Sequence, residues 1–360
     1  MLALAEGFGE RPCAALLAHG ADPERALRDP PAPPDVPPRV AARLRRRDLE
    51  HQAAGVRATA ERAGLCVLTP AHDDWPPQLR EQAAPPLALF VRGERAALRA
   101  APAVAVVGSR TPTPYGLDAA QLLGAALGRA GVSVWSGLAR GVDGAVHRAG
   151  LVRGAGDRRR HVAVLAGGLP QVYPPEHAAL ADDLVAAGGC LVSELPPGRR
   201  ARRGHFLRRN RLLAAGASAT VVVEGSLVSG ALHTARQAAE CGRDVYCVPG
   251  PWTSERSQGC HRLIRDGAEL LEAPDALLQA LGISAAVASS MSLRLARDAD
   301  AQALLGALRA GPRPSDLLQR EASLDTRQFL RAVSRLEQDG VLERVHGDLW
   351  RAREPDLRSR

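Results

Sequence analysis

The chain has 360 residues, enough for two or three domains with buried cores. Its formal net charge is +8, which favours an anionic partner, and all 47 basic residues are arginine because the sequence contains no lysine. No apolar run reaches the roughly 20 residues of a membrane-spanning helix, and the charges at Glu6, Glu10 and Arg11 interrupt any signal-peptide core. The six cysteines have no metal-like spacing, so we expect a soluble cytoplasmic protein with reduced thiols and neither metal nor cofactor.

Residues 1–65 predict a small helical domain of the SAM or helix-hairpin-helix type. Short amphipathic pieces flank the proline-rich linker PPAPPDVPP at 30–38. Nothing in this segment points to a chemical function, and we interpret it as a packing accessory.

Residues 66–285 alternate short β-branched runs with helical stretches of about ten to twenty residues. Continuous apolar strands that alternate with helices are typical of a parallel, doubly wound α/β sheet covered on both faces. The predicted strands are VAVV at 104–107, VSVW at 132–135, HVAVL at 161–165, CLVS at 190–193, TVVVE at 220–224 and DVYCV at 244–248.

Residues 286–297 resemble a linker, and residues 298–352 form a separate predicted domain. Three helices followed by a β-hairpin is the order of a winged helix, and the alternative is a generic helical cap. Asp325 is the expected cap of the third helix, and Gly340 its expected end. The predicted helices cover 301–308, 315–321 and 325–338, and the predicted strands are VLERV and LWRA.

Small residues follow four of the predicted strands. Ligands of open parallel sheets collect beyond the carboxyl ends of the strands, where free backbone N–H groups face an anion. Neither G-x-G-x-x-G nor a Walker A motif is present, which disfavours a dinucleotide or nucleoside triphosphate. The predicted phosphate-binding rim comprises Gly108, Ser109, Arg110, Ser136, Gly137, Arg140, Gly167, Gly168, Glu224, Gly225, Ser229 and Gly230.

The run RRARRGHFLRRNR at 199–211 holds seven arginines and no acid. It follows the CLVS strand and opens a helix, so we expect its charges on a folded surface at the same sheet edge. Phe206 within the run is either a core residue or a platform on which an unpaired base stacks. Arginines beside an aromatic side chain favour a single strand over a duplex, because base faces are exposed only when unpaired.

Catalytic chemistry finds little support in the sequence. Asp143 and His147 lie four residues apart on a predicted helix, which fits either a metal pair or one local hydrogen bond. Ser109 and Ser136 lack the G-x-S-x-G elbow of a serine nucleophile. We therefore assign no catalytic residue and expect a protein that is not an enzyme.

These segments together resemble the DNA-processing protein A family, also called DprA or Smf. The resemblance covers about 66–275, and the flanking segments are similar to the N-terminal helical and C-terminal winged-helix modules of some members. The motifs that carry it are VAVVGSR, SGLARGVDGAVHR, VYPPEH, SELPPG, GHFLRRNRLLA, VVVEGSLVSGALHTA, VYCVPGP and GCHRLIRDGA.

The resemblance implies an extended Rossmann-like domain that binds single-stranded DNA, forms a homodimer, and loads the RecA recombinase during natural transformation. It implies self-association through His261, Ile264 and Leu270 in the segment GCHRLIRDGAEL. The DNA-binding residues that it implies are Arg110, Arg203, Phe206, Arg209, Asn210 and Arg211.

Two other functions stay open at this point. One is a small-molecule enzyme of the same Rossmann superfamily, such as a nucleotide phosphoribohydrolase, although the P-G-G-x-G-T-x-x-E pattern is lacking. The other is a sequence-specific regulator that binds duplex DNA through the winged helix.

Overall fold

The computed structural model describes residues 49–82, 85–151, 160–283, 299–308, 311–338, 341–346 and 348–352. Most of the predicted N-terminal domain over 1–65, the predicted linker at 286–297, and Gly340 lie outside the described residues. The chain divides between Ile283 and Ser284 into two compact units, each of which is described by itself.

A nine-stranded sheet forms the centre of the first unit, in the order β1-β2-β6-β5-β4-β3-β7-β8-β9. All neighbouring pairs from β6 to β9 are parallel, whereas β2 pairs antiparallel with both β1 and β6. The predicted mostly parallel, doubly wound sheet is confirmed. The strands are β1 Cys66–Leu68, β2 Leu89–Gly93, β3 Ala103–Val107, β4 Ser133–Ser136, β5 Val162–Val164, β6 Cys190–Ser193, β7 Ala219–Val222, β8 Asp244–Cys247 and β9 Glu269–Leu270.

Helices cover both faces of this sheet. The apolar sides of α5, α6 and α7 pack on one face, and those of α1, α2, α3, α4 and α8 pack on the other. No helix in the described ranges is long and apolar enough to span a bilayer. The helices are α1 Leu49–Arg62, α2 Pro114–Arg129, α3 Val142–Leu151, α4 Ala178–Ala186, α5 Arg203–Gly216, α6 Gly230–Glu240, α7 Gln258–Arg265 and α8 Pro274–Ala280.

Strand β3 shows why the strand runs are apolar throughout. Side chains alternate between the faces of a strand, so Val104 and Val106 enter one core cluster while Ala105 and Val107 enter the other. All of them are buried, because helices lie on both sides.

Three strands of this sheet were not among the predicted ones. Strands β1 and β9 have only three and two residues, too few for a periodic pattern. Strand β2 ends in a charged Arg92 and an exposed Gly93, which breaks the apolar run.

The second unit is a winged helix, as predicted. Its core includes Leu304, Phe329, Leu336 and Trp350, all buried. Three strands pair antiparallel in the order β10-β12-β11. The elements are α9 Ala299–Ala307, β10 Arg313–Pro314, α10 Ser315–Glu321, α11 Thr326–Gln338, β11 Leu342–His346 and β12 Leu349–Ala352.

The predicted cap of the third helix in this unit is confirmed. Asp325 Oδ1 accepts a hydrogen bond from the Gln328 N–H at 2.8 Å, and Gln328 Oε1 accepts one from the Asp325 N–H at 3.0 Å. This reciprocal pair satisfies two N–H groups that the start of a helix leaves without partners.

Helices α2 and α3 approach closely at Gly124. A Cβ atom at this position would overlap the Val146 carbonyl, so we expect Gly124→Ala to lower the free energy of unfolding by about 1–3 kcal/mol. Urea denaturation measures this change.

Gly55 on the exposed side of α1 is the matched control, because a Cβ there meets nothing within 4 Å. Gly55→Ala is expected to stabilise the protein by about 0.5–1 kcal/mol through helix propensity. Equal behaviour of the two variants would contradict the close α2–α3 contact.

Candidate nucleic-acid interface

A pocket of about 530 Å³ opens at the carboxyl edge of the sheet, between the first turns of α5 and α6. Five of the six DNA-binding residues that the resemblance implies line it, all but Arg211. Because the loops after β3, β4 and β7 and the start of α5 meet here, the predicted glycine rim and arginine run share one site. The lining comprises Val107, Gly108, Arg110, Ala139, Asp143, Arg203, Phe206, Leu207, Arg209, Asn210, Leu213, Val228, Ser229, Gly230, Ala231, His233 and Thr234.

Phe206 is half-buried, and the Arg110 guanidinium lies over its ring. The Arg110 guanidinium carbon lies 4.7 Å from the ring centroid, a cation–π distance. Tyr173 meets the same ring edge-on, with centroids 5.9 Å apart and planes at 67°. Phe206 therefore lines the pocket and is not part of the core, and its role as a stacking platform stays a prediction.

Arg203 is the first residue of α5 and is exposed. Within the described part of the chain, neither Arg203 nor Arg110 has a carboxylate within 4 Å. Both guanidinium groups therefore keep their full hydrogen-bonding capacity for an anion.

Arg209 does not face solvent, although the arginine run suggested that it would. Its side chain is buried and donates to the carbonyls of Gly137, at 2.9 Å, and Val164. Asp143, also buried, accepts from the N–H groups of Gly137 and Ala139 at 3.1 and 3.3 Å. This buried network, Arg209 with Asp143, fixes the loop that follows β4.

Burial shifts the pKa of both ionisable groups in the buried network. Burial raises the pKa of the Asp143 carboxyl, while the Arg209 guanidinium and the two N–H donors act in the opposite direction. Burial lowers the pKa of Arg209 to about 10, which leaves it protonated at neutral pH. The guanidinium therefore keeps its positive charge in the buried network.

Asn210 links this network to the start of α6. Its Oδ1 accepts from Arg209 Nε at 3.2 Å, and its Nδ2 donates to the Gly230 carbonyl at 3.3 Å. Ser229 caps α6, with its hydroxyl accepting from the Ala231 N–H at 3.2 Å. The first turn of α6 is thereby held at the pocket wall.

Arg211 and Arg140 have carboxylate partners. Arg211 Nη2 lies 2.6 Å from Glu194 in a largely buried pair, and Arg140 Nε lies 2.5 Å from Glu176 in an exposed one. Their predicted contact with DNA stays a prediction, and it requires exchange of an existing partner.

The two serines of the predicted rim form hydrogen bonds with backbone groups. Ser136 is buried, and its hydroxyl donates to the Val106 carbonyl at 2.7 Å. Ser109 accepts from the Thr111 N–H at 3.2 Å through its hydroxyl. Both contacts shape the loops that carry Arg110 and Gly137.

Asp143 and His147 do not share a ligand position. His147 is buried and its Nδ1 lies 3.1 Å from Nδ1 of His161, while Asp143 faces Arg209. Across the described residues no group of three His, Cys, Asp or Glu side chains is placed to hold a metal.

The three residues predicted for self-association lie on and after α7. His261 Nε2 contacts the Gly250 carbonyl at 3.0 Å, and Ile264 packs partly against the core. Leu270 is half-exposed on β9, the edge strand of the sheet. The first unit is therefore a parallel α/β domain with a basic, aromatic-lined pocket at one edge and an exposed apolar residue at the end of its sheet.

The chain matches the family described as DNA recombination-mediator protein A over residues 66–282. It also matches the DprA winged helix domain over residues 292–348. The first match covers more than half of the chain, so this chain belongs to the DNA recombination-mediator protein A family.

Curated relatives carry related names. The chain is 43% identical to protein Smf of Escherichia coli (strain K12) over 216 residues, which is 59% of this chain and 56% of that protein. It is 31% identical to the DNA processing protein DprA of Bacillus subtilis (strain 168) over 264 residues, 72% of this chain and 87% of that protein. The chain spans 56–62% of the length of the relatives that it matches at 43% identity.

Among solved structures, DNA processing protein A from Streptococcus pneumoniae is similar with a TM-score of 0.63 at 28% identity. The similarity covers 77% of this chain and 95% of that chain. DNA processing protein A from Helicobacter pylori is similar with a TM-score of 0.54 at 24% identity, covering 60% of this chain and 95% of that one. The fold is therefore the same.

Three features of the site were not predicted from the sequence. Tyr173, in the VYPPEH motif, contacts the ring of Phe206. Asp143 interacts electrostatically with Arg209, which lies 66 residues later in the chain. Glu224 is buried and accepts from the Thr113 N–H at 2.9 Å and its hydroxyl at 2.5 Å. One signal was available for Tyr173: it follows a strand, so it could have been placed at the same sheet edge as Phe206.

Removal of the Arg209 guanidinium should destabilise the fold. Arg209→Met leaves the buried Asp143 carboxylate without its cation, and we expect the free energy of unfolding to fall by about 3–5 kcal/mol. Adding Asp143→Asn to the variant should recover part of this loss, because the uncompensated charge is removed. Urea denaturation of the three proteins measures the coupling.

Arg200→Met is the control from the same arginine run, since Arg200 is exposed. Its expected change is within about 0.5 kcal/mol. A similarly small change for Arg209→Met would contradict a structural role for the buried network.

Proposed function

We propose that this chain binds single-stranded DNA in the pocket between α5 and α6. The observation that carries the proposal is the Arg110–Phe206 pair beside Arg203 at the mouth of the pocket. An aromatic ring that stacks on a base and cations that bind the adjoining phosphates are the two elements of sequence-tolerant single-strand binding.

A single strand fits this site better than a duplex. Base stacking contributes roughly 1–3 kcal/mol per base and requires an open base face. Phe206 lies in the first turn of α5 at the pocket, where a splayed base can reach its ring. Leu207 and Val228, exposed at the same pocket, add apolar surface for the base edge.

Phosphate groups would contact the exposed arginines and the start of α6. Arg110 and Arg203 can form bidentate hydrogen bonds with phosphate oxygens. The N–H groups in the first turn of α6 lie at the pocket wall, where a helix N-terminus favours negative charge. Arg209 is buried beneath the pocket and would not touch the strand. It would position the loop after β4 and, through Asn210, the start of α6.

The relatives support the same conclusion. The Helicobacter pylori protein, similar in fold, binds single-stranded DNA. The Bacillus subtilis and Streptococcus pneumoniae relatives are named DNA processing proteins, and the family is described as recombination mediators. We therefore propose a non-enzymatic, homodimeric, cytoplasmic mediator that loads RecA on bound single strands, as in natural transformation, with His261, Ile264 and Leu270 at the subunit contact.

Charge reversal at the pocket is expected to weaken binding of single-stranded DNA. Arg203→Glu and Arg110→Glu should each weaken binding to oligo-dT at least about tenfold, because a charge-assisted contact is replaced by repulsion. For the unaltered protein, the logarithm of affinity should fall linearly with the logarithm of salt concentration, by about 0.7 per phosphate neutralised. Fluorescence anisotropy across a salt series measures both effects.

Arg129→Glu is the matched control, because Arg129 lies exposed at the far end of α2, toward the opposite edge of the sheet. It changes the net charge equally and should leave affinity within about twofold of the unaltered protein, since screening weakens distant charges. A salt-independent affinity, or equal losses in all three variants, would overturn the proposed site.

RecA loading has its own test. On single strands coated with single-strand binding protein, this chain should shorten the lag of RecA filament assembly, and Arg203→Glu should not. The lag is read from the onset of RecA ATP hydrolysis. An unchanged lag with a chain that binds oligo-dT normally would restrict the function to strand binding.

A further inference from the structure

The loop after β8 presents a tryptophan to solvent. Trp252 is 85% exposed, whereas Trp75, Trp135 and Trp350 are exposed by 1%, 1% and 7%. Tryptophan is a large apolar side chain that proteins usually cover, and an exposed one is enriched at binding surfaces.

The backbone on both sides of Trp252 is held in place. The Tyr115 hydroxyl donates to the Pro249 carbonyl at 2.7 Å, before the tryptophan. The Gly225 N–H donates to the Arg256 carbonyl at 2.7 Å, after it. These contacts attach the loop to α2 and to the loop after β7, so the indole projects from a fixed support.

Arg256 in the same loop extends toward the pocket. Its Nη2 lies 3.4 Å from the Thr111 hydroxyl, and Thr111 directly follows Arg110. In the residues that the structure describes, no carboxylate lies within 4 Å of the Arg256 guanidinium. Like Arg110 and Arg203, Arg256 is available to an anion.

Sheet order makes the two regions continuous. Strands β3, β7 and β8 are neighbours and parallel, so the loops after them lie side by side at one edge. Neighbouring strands are about 4.8 Å apart, which places the ends of β3 and β8 about 10 Å from each other. A chain of phosphates that leaves Arg110 along this edge therefore reaches Arg256 next.

We infer that Trp252 and Arg256 form a second nucleotide subsite for single-stranded DNA, adjoining the pocket at Phe206. An unpaired base stacks on the Trp252 indole, and the phosphate between the two subsites binds Arg256. The inference rests on the proposed function, because the same strand occupies both subsites. It adds a direction: the strand runs from the pocket across β7 toward β8.

Intrinsic fluorescence reports on the subsite directly, because Trp252 is the exposed one of the four tryptophans. Oligo-dT about 20 nucleotides long should quench the emission of the unaltered protein. Trp252→Phe should bind with an affinity within about threefold of the unaltered protein while the quenching disappears, because phenylalanine keeps a stacking face.

Affinity measured against strand length separates the two subsites. Trp252→Ala should weaken binding of oligo-dT of about 20 nucleotides by about tenfold, and leave binding of the shortest oligonucleotide that saturates the pocket unchanged. Phe206→Ala is the comparison variant and should weaken binding at every length. Glu255→Gln, in the same loop, should strengthen binding of the long strand, since it removes a nearby negative charge.

Each outcome decides between distinct conclusions. If the unaltered protein binds oligo-dT but Trp252→Ala binds every length equally well, the subsite is wrong and the proposed function stands. If Trp252→Ala changes the sedimentation coefficient of the free protein, the indole is a contact between copies of this chain and the subsite is equally wrong. If the unaltered protein does not bind oligo-dT, the proposed function and the subsite both fail.

Discussion

The site depends on one buried guanidinium, that of Arg209. Arg209 reaches from α5 to the carbonyls of Gly137 and Val164 at the ends of β4 and β5, and Asp143, at the start of α3, acts on its charge. A buried guanidinium is tolerated only when each of its hydrogen bonds is satisfied and its charge is balanced. Here carbonyl groups and a carboxylate supply that balance. Gly137 is required at the crossing, because the Arg209 guanidinium occupies the space that a Cβ atom would take. Helix α5 and the loop of the sheet edge consequently behave as one piece.

Because Arg209 joins α5 to the loop after β4, the exposed residues of the site project from a rigid framework. Phe206 lies one turn before Arg209 in α5, and Asn210 carries the same network onward to α6. Loops after β3, β7 and β8 are joined by contacts of Thr113 with Glu224 and of Gly225 with Arg256. A ligand that binds this edge loses its own freedom but imposes little ordering on the protein, which favours affinity.

Local pattern explains which parts of the molecule were predictable from the sequence. The β3 run VAVV and the β6 run CLVS are buried on both faces, so their apolar character is continuous and readable. Strand ends of a parallel sheet share an edge, which is why Arg110, Arg203 and Phe206 were correctly brought together. The orientation of each arginine in 199–211 was not readable, because it depends on which side of α5 faces the sheet. Charge density alone does not distinguish exposed Arg203 from buried Arg209.

Contacts between segments that are distant in the sequence account for the features that could not be predicted. Tyr173 and Phe206 lie 33 positions apart and meet only because β5 ends and α5 begins at the same edge. The length of a strand such as β9 is likewise fixed by its neighbour β8, and its two residues carry no pattern of their own.

In the proposed complex, the Arg110 guanidinium over Phe206 would limit the number of bases that stack on the ring. An aromatic ring has two faces, and Arg110 lies over one of them. One face is left, so the ring ends a column of stacked bases instead of standing within it. A strand bound as proposed would therefore bend at Phe206 and present its bases singly, each to a separate side chain. Such a strand keeps its base-pairing edges apart from one another and open to a second strand.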